Sequence, residues 1–216
     1  IILWYIHREW SIHKAIKWFK TQKFVLLAID IPKDTEQTPK AIEQLFATIS
    51  GAHTPLEWIE KFRGMFQLSF SLEIVSIDGY VQFLIRTPSQ YRNLIETAIF
   101  SQYPDAEITE VEDYVHKIPT KFPSDDYEMW GSEVVLVNDS AYPIRTYKEF
   151  EDKISGEFKD PMAAILETMS KVEIGEQAWI QIIARPSDFG WEKKSQDLVF
   201  KMAGKKLEKK VSIINK

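Results

Sequence analysis

The order of hydrophobic patterns between residues 24 and 111 constrains the fold of this chain more than any other feature of its sequence. Residues 24–31 are a short apolar run closed by Pro32, which is typical of a buried strand. The patterns that follow predict a helix at residues 38–51, a short helix at 56–62 and two strands at 66–77 and 80–86. A further helix is predicted at 91–100 and a further strand at 106–111. With the short helix set aside, the order is β-α-β-β-α-β.

Local start and turn signals support this order. Thr38 and Pro39 suit the N-cap and the first position of a helix. The pair Asp78-Gly79 joins two β-patterned runs and is among the strongest hairpin signals. The order β-α-β-β-α-β is the split βαβ, or ferredoxin-like, order, in which right-handed crossovers place both helices on one face of an antiparallel sheet. We therefore predict a ferredoxin-like unit over residues 23–116.

The rest of the chain predicts a linker and a second, less complete ferredoxin-like unit. Two prolines and several charges at 117–129 predict a linker or loop. In the predicted unit at 130–216, we expect strands at residues 132–137, 178–184 and 211–214 and a short extended piece at 143–147. Helices are expected from residue 160 and at 191–202. The fold class is thus α+β: two ferredoxin-like units with antiparallel sheets, preceded by an N-terminal helix.

A shared local pattern favours an internal duplication. Residues 81–88 and 180–186 are both apolar strands that end in Arg and Pro before a helix. The alternative is that strand–proline–helix is a common order in α+β proteins, so that the two segments need no common origin.

Residues 1–22 predict a juxtamembrane amphipathic helix. The chain opens Ile-Ile-Leu-Trp-Tyr-Ile without Met, so we expect a fragment whose first residues end a longer apolar stretch. Interfacial aromatic residues followed by Lys and Arg mark the cytoplasmic flank of a membrane span. The membrane-proximal residues of this pattern are Trp4, Tyr5, Arg8, Trp10, Lys14, Lys17 and Lys20. The alternative is a helix that packs onto the body through Trp10, Trp18 and Phe19.

Charge and composition exclude several classes of function. The net charge of −5 divides into +4 for residues 1–23, −14 for 24–200 and +5 for 201–216. An acidic body is a poor platform for nucleic acid, because neutralising phosphates needs a basic face. The absence of cysteine excludes disulfides, Cys-ligated metals and thiol nucleophiles.

No catalytic motif is present in the sequence. Gly204-Lys205-Lys206 is the nearest match to a phosphate-binding loop, but it lacks the hydroxyl residue and the upstream glycine. The acidic stretch at 105–113 is interpreted as charges that protect a strand edge. We expect Arg86, Arg145 and Arg185 to pair with carboxylates, with an anion site as the alternative, and His53 and His116 to be surface or capping residues. The sequence therefore predicts no catalytic, cofactor or metal site.

Two stretches carry a family resemblance. Residues 160–167 (DPMAAILE) and 175–186 (GEQAWIQIIARP) resemble a segment upstream of the motor in conjugation and type IV secretion-like ATPases of bacteria. The residues of this motif are Asp160, Pro161, Gly175, Glu176, Gln177, Trp179, Gln181, Arg185 and Pro186. The stretches 71–88, 101–114 and 142–153 resemble an uncharacterised membrane-anchored family of candidate-phylum (Patescibacteria-type) bacteria. The chain lacks the Walker motifs of the motor itself.

The resemblance implies a non-catalytic assembly or docking domain at the cytoplasmic face of the bacterial inner membrane. Its expected partners are the membrane and other proteins, either a P-loop ATPase or a second copy, and no cofactor is expected. The alternatives are a ferredoxin-like module that binds a small ligand or nucleic acid, and an enzyme with an unrecognised carboxylate or Arg site. A cleft with convergent ionisable groups would favour the enzyme, whereas a contiguous apolar surface would favour docking.

Overall fold

A computed structural model describes residues 2–32, 40–142, 144, 146, 162–187 and 190–204 of the 216-residue chain. The helices are α1 (Ile2–Phe19), α2 (Lys40–Gly51), α3 (Trp58–Phe62), α4 (Arg92–Gln102), α5 (Ala163–Ser170) and α6 (Gly190–Met202). The strands are β1 (Phe24–Asp30), β2 (Phe70–Ile77), β3 (Tyr80–Pro88), β4 (Glu107–Val111) and β5 (Gln177–Ala184). Several predicted features lie outside the described residues, namely Thr38 and Pro39, Arg145 and most of 143–147, Asp160 and Pro161, and the strand at 211–214.

All five strands belong to one antiparallel sheet with the order β4-β1-β3-β2-β5. The α+β class, the N-terminal helix and the antiparallel sheet are as predicted. The turn between β2 and β3 is also as predicted, with φ of 54° at Asp78 and 81° at Gly79. Two successive positive φ values fit a type I′ turn, whose twist matches that of the flanking strands.

The second predicted unit is not confirmed. Strand β5 pairs with β2 and extends the first sheet instead of starting another. The strand predicted at 132–137 is wrong, because these residues form neither helix nor strand. In the described part of the chain after residue 130, β5 is the one strand present, so a second sheet is not formed there. The strand predicted at 178–184 is present as β5, but its partner is a strand about 100 residues earlier.

The main core lies between the sheet and helices α2 and α4. Side chains alternate between the two faces of a strand, and Leu27, Phe70 and Ile85 all point to the same face, where they are 0–3% exposed. Helices α2 and α4 complete this core with buried apolar side chains, among them Leu45, Ile49, Ile95, Ala98 and Ile99. Because an antiparallel sheet needs a covered apolar face, this core explains the placement of both helices.

The opposite face of the sheet is covered by the segment that follows β4. Tyr114 is 4% exposed and packs with Leu26, Val75 and Leu84 in a second, smaller core. It begins a 3₁₀ helix (Tyr114–Lys117), in which Asp113 Oδ1 accepts a hydrogen bond of 3.1 Å from the backbone N–H of Val115. The sheet is therefore sandwiched between helices on one side and a short turn on the other.

Helix α5 and the loop after it hold the β2–β3 hairpin at its turn. The Ser76 hydroxyl donates to the backbone oxygen of Met169 at 2.7 Å. The backbone N–H of Gly175 donates to Asp78 Oδ1, also at 2.7 Å. Both contacts join residues more than 90 positions apart, so they bring the chain from α5 to β5 back to the first sheet.

Helix α1 approaches the loop after α3 very closely at Gly64. This glycine has a φ of +87°, and a Cβ built on it would lie 2.6 Å from the backbone carbon of Lys14. Only glycine fits there, because a side chain would be strained by the positive φ and would also collide with the helix backbone.

We predict that Gly64→Ala lowers the free energy of unfolding by about 2–5 kcal/mol, the sum of a left-handed backbone penalty and a steric clash. Gly175→Ala is the matched control, since Gly175 has a φ of +89° but nothing within 4 Å of its Cβ position. Its free energy of unfolding should fall only by the backbone penalty, about 1–2 kcal/mol. Urea unfolding of both variants measures the difference, and equal losses would show that α1 is not packed against Gly64.

Candidate functional site

Helix α1 carries apolar side chains on two opposite faces. The inner face packs on the body, where Trp10 meets Phe62 and Trp18 meets Phe66 in edge-to-face contacts with ring centroids 5.3 and 5.1 Å apart. Phe19 also lies 5.9 Å from Phe66, with nearly parallel rings. These contacts match the packed-helix alternative for Trp10, Trp18 and Phe19.

Lys14 belongs to the same inner contact. Its Nζ lies 3.4 Å from the ring centroid of Trp10 and 4.1 Å from that of Phe62. It also donates a hydrogen bond of 3.0 Å to the backbone oxygen of Phe62. A cation between two aromatic rings is stabilised by their negative faces. Although the sequence grouped Lys14 with the membrane-proximal cations, its charge is engaged by the body.

The outer surface of α1, defined as Tyr5, Ile12 and Ile16 with Arg8, Lys17 and Lys20, faces away from the body. The three apolar side chains are 54%, 40% and 50% exposed, and their spacing of seven and four residues places them in one stripe. All three basic residues are exposed. In helical projection Arg8 lies on one side of that stripe and Lys20 and Lys17 lie on the other, where Glu9 is nearer to the stripe than Lys20 is. Glu9 is the one acid in the sequence of this helix.

The first turns of α1 add to the exposed aromatic area. Trp4 is 62% exposed, and its ring contacts that of Tyr5 edge to face with centroids 5.4 Å apart. The guanidinium carbon of Arg8 lies 5.9 Å from the Trp4 ring centroid. A helix with apolar residues on both faces, of which only one is covered, has an unused contact surface. Over the residues that the structure describes, no helix has the length and apolar character to cross a bilayer.

A small open cleft of about 240 Å³ lies where β1 begins and β4 ends. The Arg86 guanidinium stacks 4.0 Å over the ring of Phe24, and its Nε lies 3.9 Å from Asp113 Oδ2. Glu110 and His116 also line the cleft. Arg86 therefore has a carboxylate partner in Asp113, which agrees with its interpretation as a pairing residue more than with an anion site.

Other ionisable residues are similarly engaged or dispersed. Arg92 pairs with Glu96 at 2.7 Å and also with Glu110, and the hydrogen bond to Glu96 is the main reason that the pKa of Arg92 is raised. Arg185 lies 5.9 Å from the ring of Phe66. The described residues contain no group of three or more His, Asp or Glu side chains placed to hold a metal ion.

A buried polar network joins β2, the Tyr114 turn and β5. Glu73 is 4% exposed, and its Oε2 accepts a hydrogen bond of 2.6 Å from the Tyr114 hydroxyl. Gln181 donates from Nε2 to the same hydroxyl oxygen at 2.8 Å, and the Trp179 ring packs edge to face on Tyr114 at 4.7 Å. Burial, reinforced by the hydrogen bond to Glu73, raises the pKa of Tyr114 far above its usual value.

The described residues on which the sequence resemblance rests lie at the junction of β5 with the sheet. Gly175 and the backbone of Glu176 bind the hairpin turn at Asp78, with distances of 2.7 and 3.2 Å. The Gln177 side chain accepts a hydrogen bond of 3.2 Å from the Trp179 indole. Trp179 and Gln181 pack on or bond to Tyr114. Arg185 is exposed and Pro186 is buried just after the strand.

Sequence reasoning missed Glu73 and Tyr114. The available signal was a carboxylate at an inward position of the alternating strand 71–77, since a buried charge must find a partner. Nothing local in the sequence indicated that the partner would be Tyr114.

Comparisons with known proteins found no similar protein: no family model matches the chain, and no curated protein or solved structure does either.

We predict that Tyr114→Phe lowers the free energy of unfolding by about 1–3 kcal/mol at neutral pH, because Glu73 and Gln181 lose a buried partner. The loss should shrink above about pH 10. There the unfolded tyrosine releases its proton while the folded one keeps it, so the wild-type protein becomes less stable with rising pH. Chemical denaturation from about pH 8 to 11 measures the difference between the two proteins.

The matched control is Tyr80→Phe, which removes a hydroxyl from a side chain that is 64% exposed. It should stay within about 0.5 kcal/mol of the wild type at neutral pH. A Tyr114→Phe loss that is constant across this pH range would contradict a buried, neutral Tyr114.

Proposed function

We propose that this chain is a non-catalytic assembly and docking domain that lies on the cytoplasmic face of a bacterial inner membrane through the outer surface of α1. The observation that carries the proposal is the exposed stripe of Tyr5, Ile12 and Ile16 between basic residues. An apolar stripe flanked by cations suits an anionic lipid surface, because the side chains enter the headgroup region while the charges stay at the phosphates.

The size of the electrostatic term fits peripheral binding. Each basic residue near an anionic surface contributes about 1 kcal/mol, so Arg8, Lys17 and Lys20 together supply about 3 kcal/mol, less the repulsion of Glu9. This attraction is salt-sensitive and by itself holds a protein reversibly. The acidic body, with a net charge of −14 over residues 24–200, would be repelled by the same surface. Attraction at α1 and repulsion elsewhere would orient the body away from the lipid.

The non-catalytic part of the proposal is supported by the state of the polar residues. The sequence contains no phosphate-binding loop, and the cleft beside Arg86 is small, open and accompanied by the carboxylates of Asp113 and Glu110. The buried carboxylate of Glu73 is occupied by Tyr114. These groups therefore have structural partners.

Residues 160–186 include the stretches that resemble conjugation and type IV secretion-like ATPases. On this resemblance, the domain would serve a secretion- or conjugation-like ATPase assembly. The order β4-β1-β3-β2 of the first four strands supports the interpretation of residues 23–116 as a ferredoxin-like unit. In this proposal the sheet is the rigid platform, and α1 is the element that meets the membrane.

Flotation with liposomes tests the membrane contact. We expect the chain to float with vesicles that contain phosphatidylglycerol but not with pure phosphatidylcholine, and binding should weaken as salt increases. The variant Arg8→Gln/Lys17→Gln/Lys20→Gln should lose binding on the order of a hundredfold, which corresponds to about 3 kcal/mol. Ile12→Ser/Ile16→Ser should also weaken binding, by removing the apolar part of the surface.

Two controls separate this surface from the net charge and from the fold. Lys117→Gln/Lys121→Gln/Lys193→Gln makes the same change in net charge at exposed sites outside α1, and it should bind like the wild type. Lys14→Gln should alter stability more than lipid binding, because Lys14 contacts Phe62. Equal losses in both triple variants, or no binding to anionic vesicles at low salt, would overturn the proposal.

A further inference from the structure

The edge of β5 that points away from β2 has no strand partner in the described part of the chain. Unpaired N–H and C=O groups on an edge strand are a template for another strand, and natural sheets protect such edges with charges or proline. Residues 177–184 contain neither. The strand at the other edge, β4, carries Glu107 and Glu110 within five residues. The sheet thus has one protected edge and one unprotected edge.

Apolar side chains strengthen the contrast. Ile182 and Ile183 on β5 are 58% and 70% exposed. As successive residues of a strand, they point to opposite faces. A strand added at this edge would therefore find apolar side chains to cover on both faces of the sheet.

Residues 132–137 are a strand-forming sequence that the structure leaves unpaired. Four of the six are apolar and three of those are valine, a residue type that favours strands. Val134 and Val137 are 97% and 99% exposed, and the neighbouring Trp130 is 89% exposed. The segment contacts so little of its own chain that it is free to bind elsewhere.

We propose that residues 132–137 of one copy add as a strand to the free edge of β5 in a second copy. Both parts are described within one copy, and there they do not pair. The acceptor is long enough for the whole segment, since six residues span about 20 Å and the eight residues of β5 about 27 Å.

The charge on residues 132–137 favours pairing with β5 over pairing with β4, the strand at the other edge of the sheet. Residues 132–137 are the donor segment, and Glu133 is its one charged residue. Beside β4 it would approach Glu107, and like charges on paired strands are destabilising. Along β5 it meets no charged residue. The neutral edge is therefore the one that accepts this segment.

Exchange of this segment can be reciprocal. Each copy holds one donor segment and one acceptor edge, so two copies related by a two-fold axis satisfy both and leave neither open. The assembly is a closed dimer instead of a growing fibre. This inference concerns a surface distinct from α1 and does not rest on the proposed membrane contact.

Sedimentation equilibrium of the full chain tests the dimer. The wild type should dimerise, and Val135→Pro, which removes a backbone donor from the segment, should raise the dissociation constant about tenfold or more. Ile182→Lys, which places a charge on the acceptor edge, should do the same. The matched control is Ile174→Lys, at a residue that is 91% exposed and outside both parts, and it should dimerise like the wild type.

Mixing the two defective variants tests the exchange itself. The Ile182→Lys chain still has a donor and the Val135→Pro chain still has an acceptor, so an equimolar mixture should form more dimer than either variant alone. A synthetic peptide of residues 130–138 should dissociate the wild-type dimer, which tests the acceptor without any substitution. At concentrations where the wild type is monomeric, Val135→Pro should keep the wild-type melting temperature, because its site makes no strand in the monomer.

Three results would overturn the proposal. The first is a wild-type chain that stays monomeric at all concentrations. The second is a dimer that persists in both Val135→Pro and Ile182→Lys. The third is slow, concentration-independent hydrogen exchange of the β5 amides that do not bond to β2, since this would mean that the outer edge is covered within one copy.

Discussion

The arrangement of β2, Tyr114 and β5 depends on the buried carboxylate of Glu73. A carboxylate that is 4% exposed needs hydrogen-bond donors, because water no longer supplies them. Tyr114 supplies a hydroxyl, and Gln181 of β5 in turn donates to that hydroxyl. Glu73 and Gln181 are also directly paired in the register of β2 and β5. One polar requirement thus holds together three segments that lie far apart in the sequence.

This requirement explains why β5 extends the first sheet. With β5 beside β2, the β2–β3 turn binds Gly175, and α5 packs at Ser76. Among the described residues, the sheet then ends in a neutral strand with no strand partner on its outer edge, while α1 is held against the body by Phe62, Phe66 and Gly64. The rigid platform therefore presents two separate apolar surfaces, one flanked by cations and one formed by a strand edge.

Local patterns predicted most elements between residues 24 and 111, because each of them is encoded in neighbouring residues. Alternation gave β2 and β3, and Asp78-Gly79 gave the turn between them. The predictions failed where they concerned which strands pair when those strands lie far apart in the sequence. The apolar run at residues 178–184 is the same whether the strand joins an existing sheet or starts a new one. The valine-rich run at 132–137 has the propensity of a strand, but a strand exists only where it has a partner.

The candidate surfaces were predictable to a similar degree. The aromatic and basic residues of α1 were visible in the sequence, but their division between an inner and an outer face was not. Lys14 and Lys17 look alike in the sequence, and only the aromatic rings of Trp10 and Phe62 distinguish them. The Glu73–Tyr114–Gln181 network joins positions 41 and 67 residues apart, beyond the range of any periodic pattern.

A disulfide across β2 and β5 tests the central claim, that residues 177–184 form the fifth strand of this one sheet. The chain has no cysteine, so Ser71→Cys/Ile183→Cys creates a single possible pair at directly opposed positions on one face. We predict that this variant oxidises rapidly to an intramolecular disulfide in the folded state, because opposed residues of antiparallel strands lie within disulfide range. Ser71→Cys/Ile182→Cys, whose side chains point to opposite faces, should stay reduced under the same conditions. Equal oxidation of the two variants, or none in either, would contradict the pairing of β5 with β2.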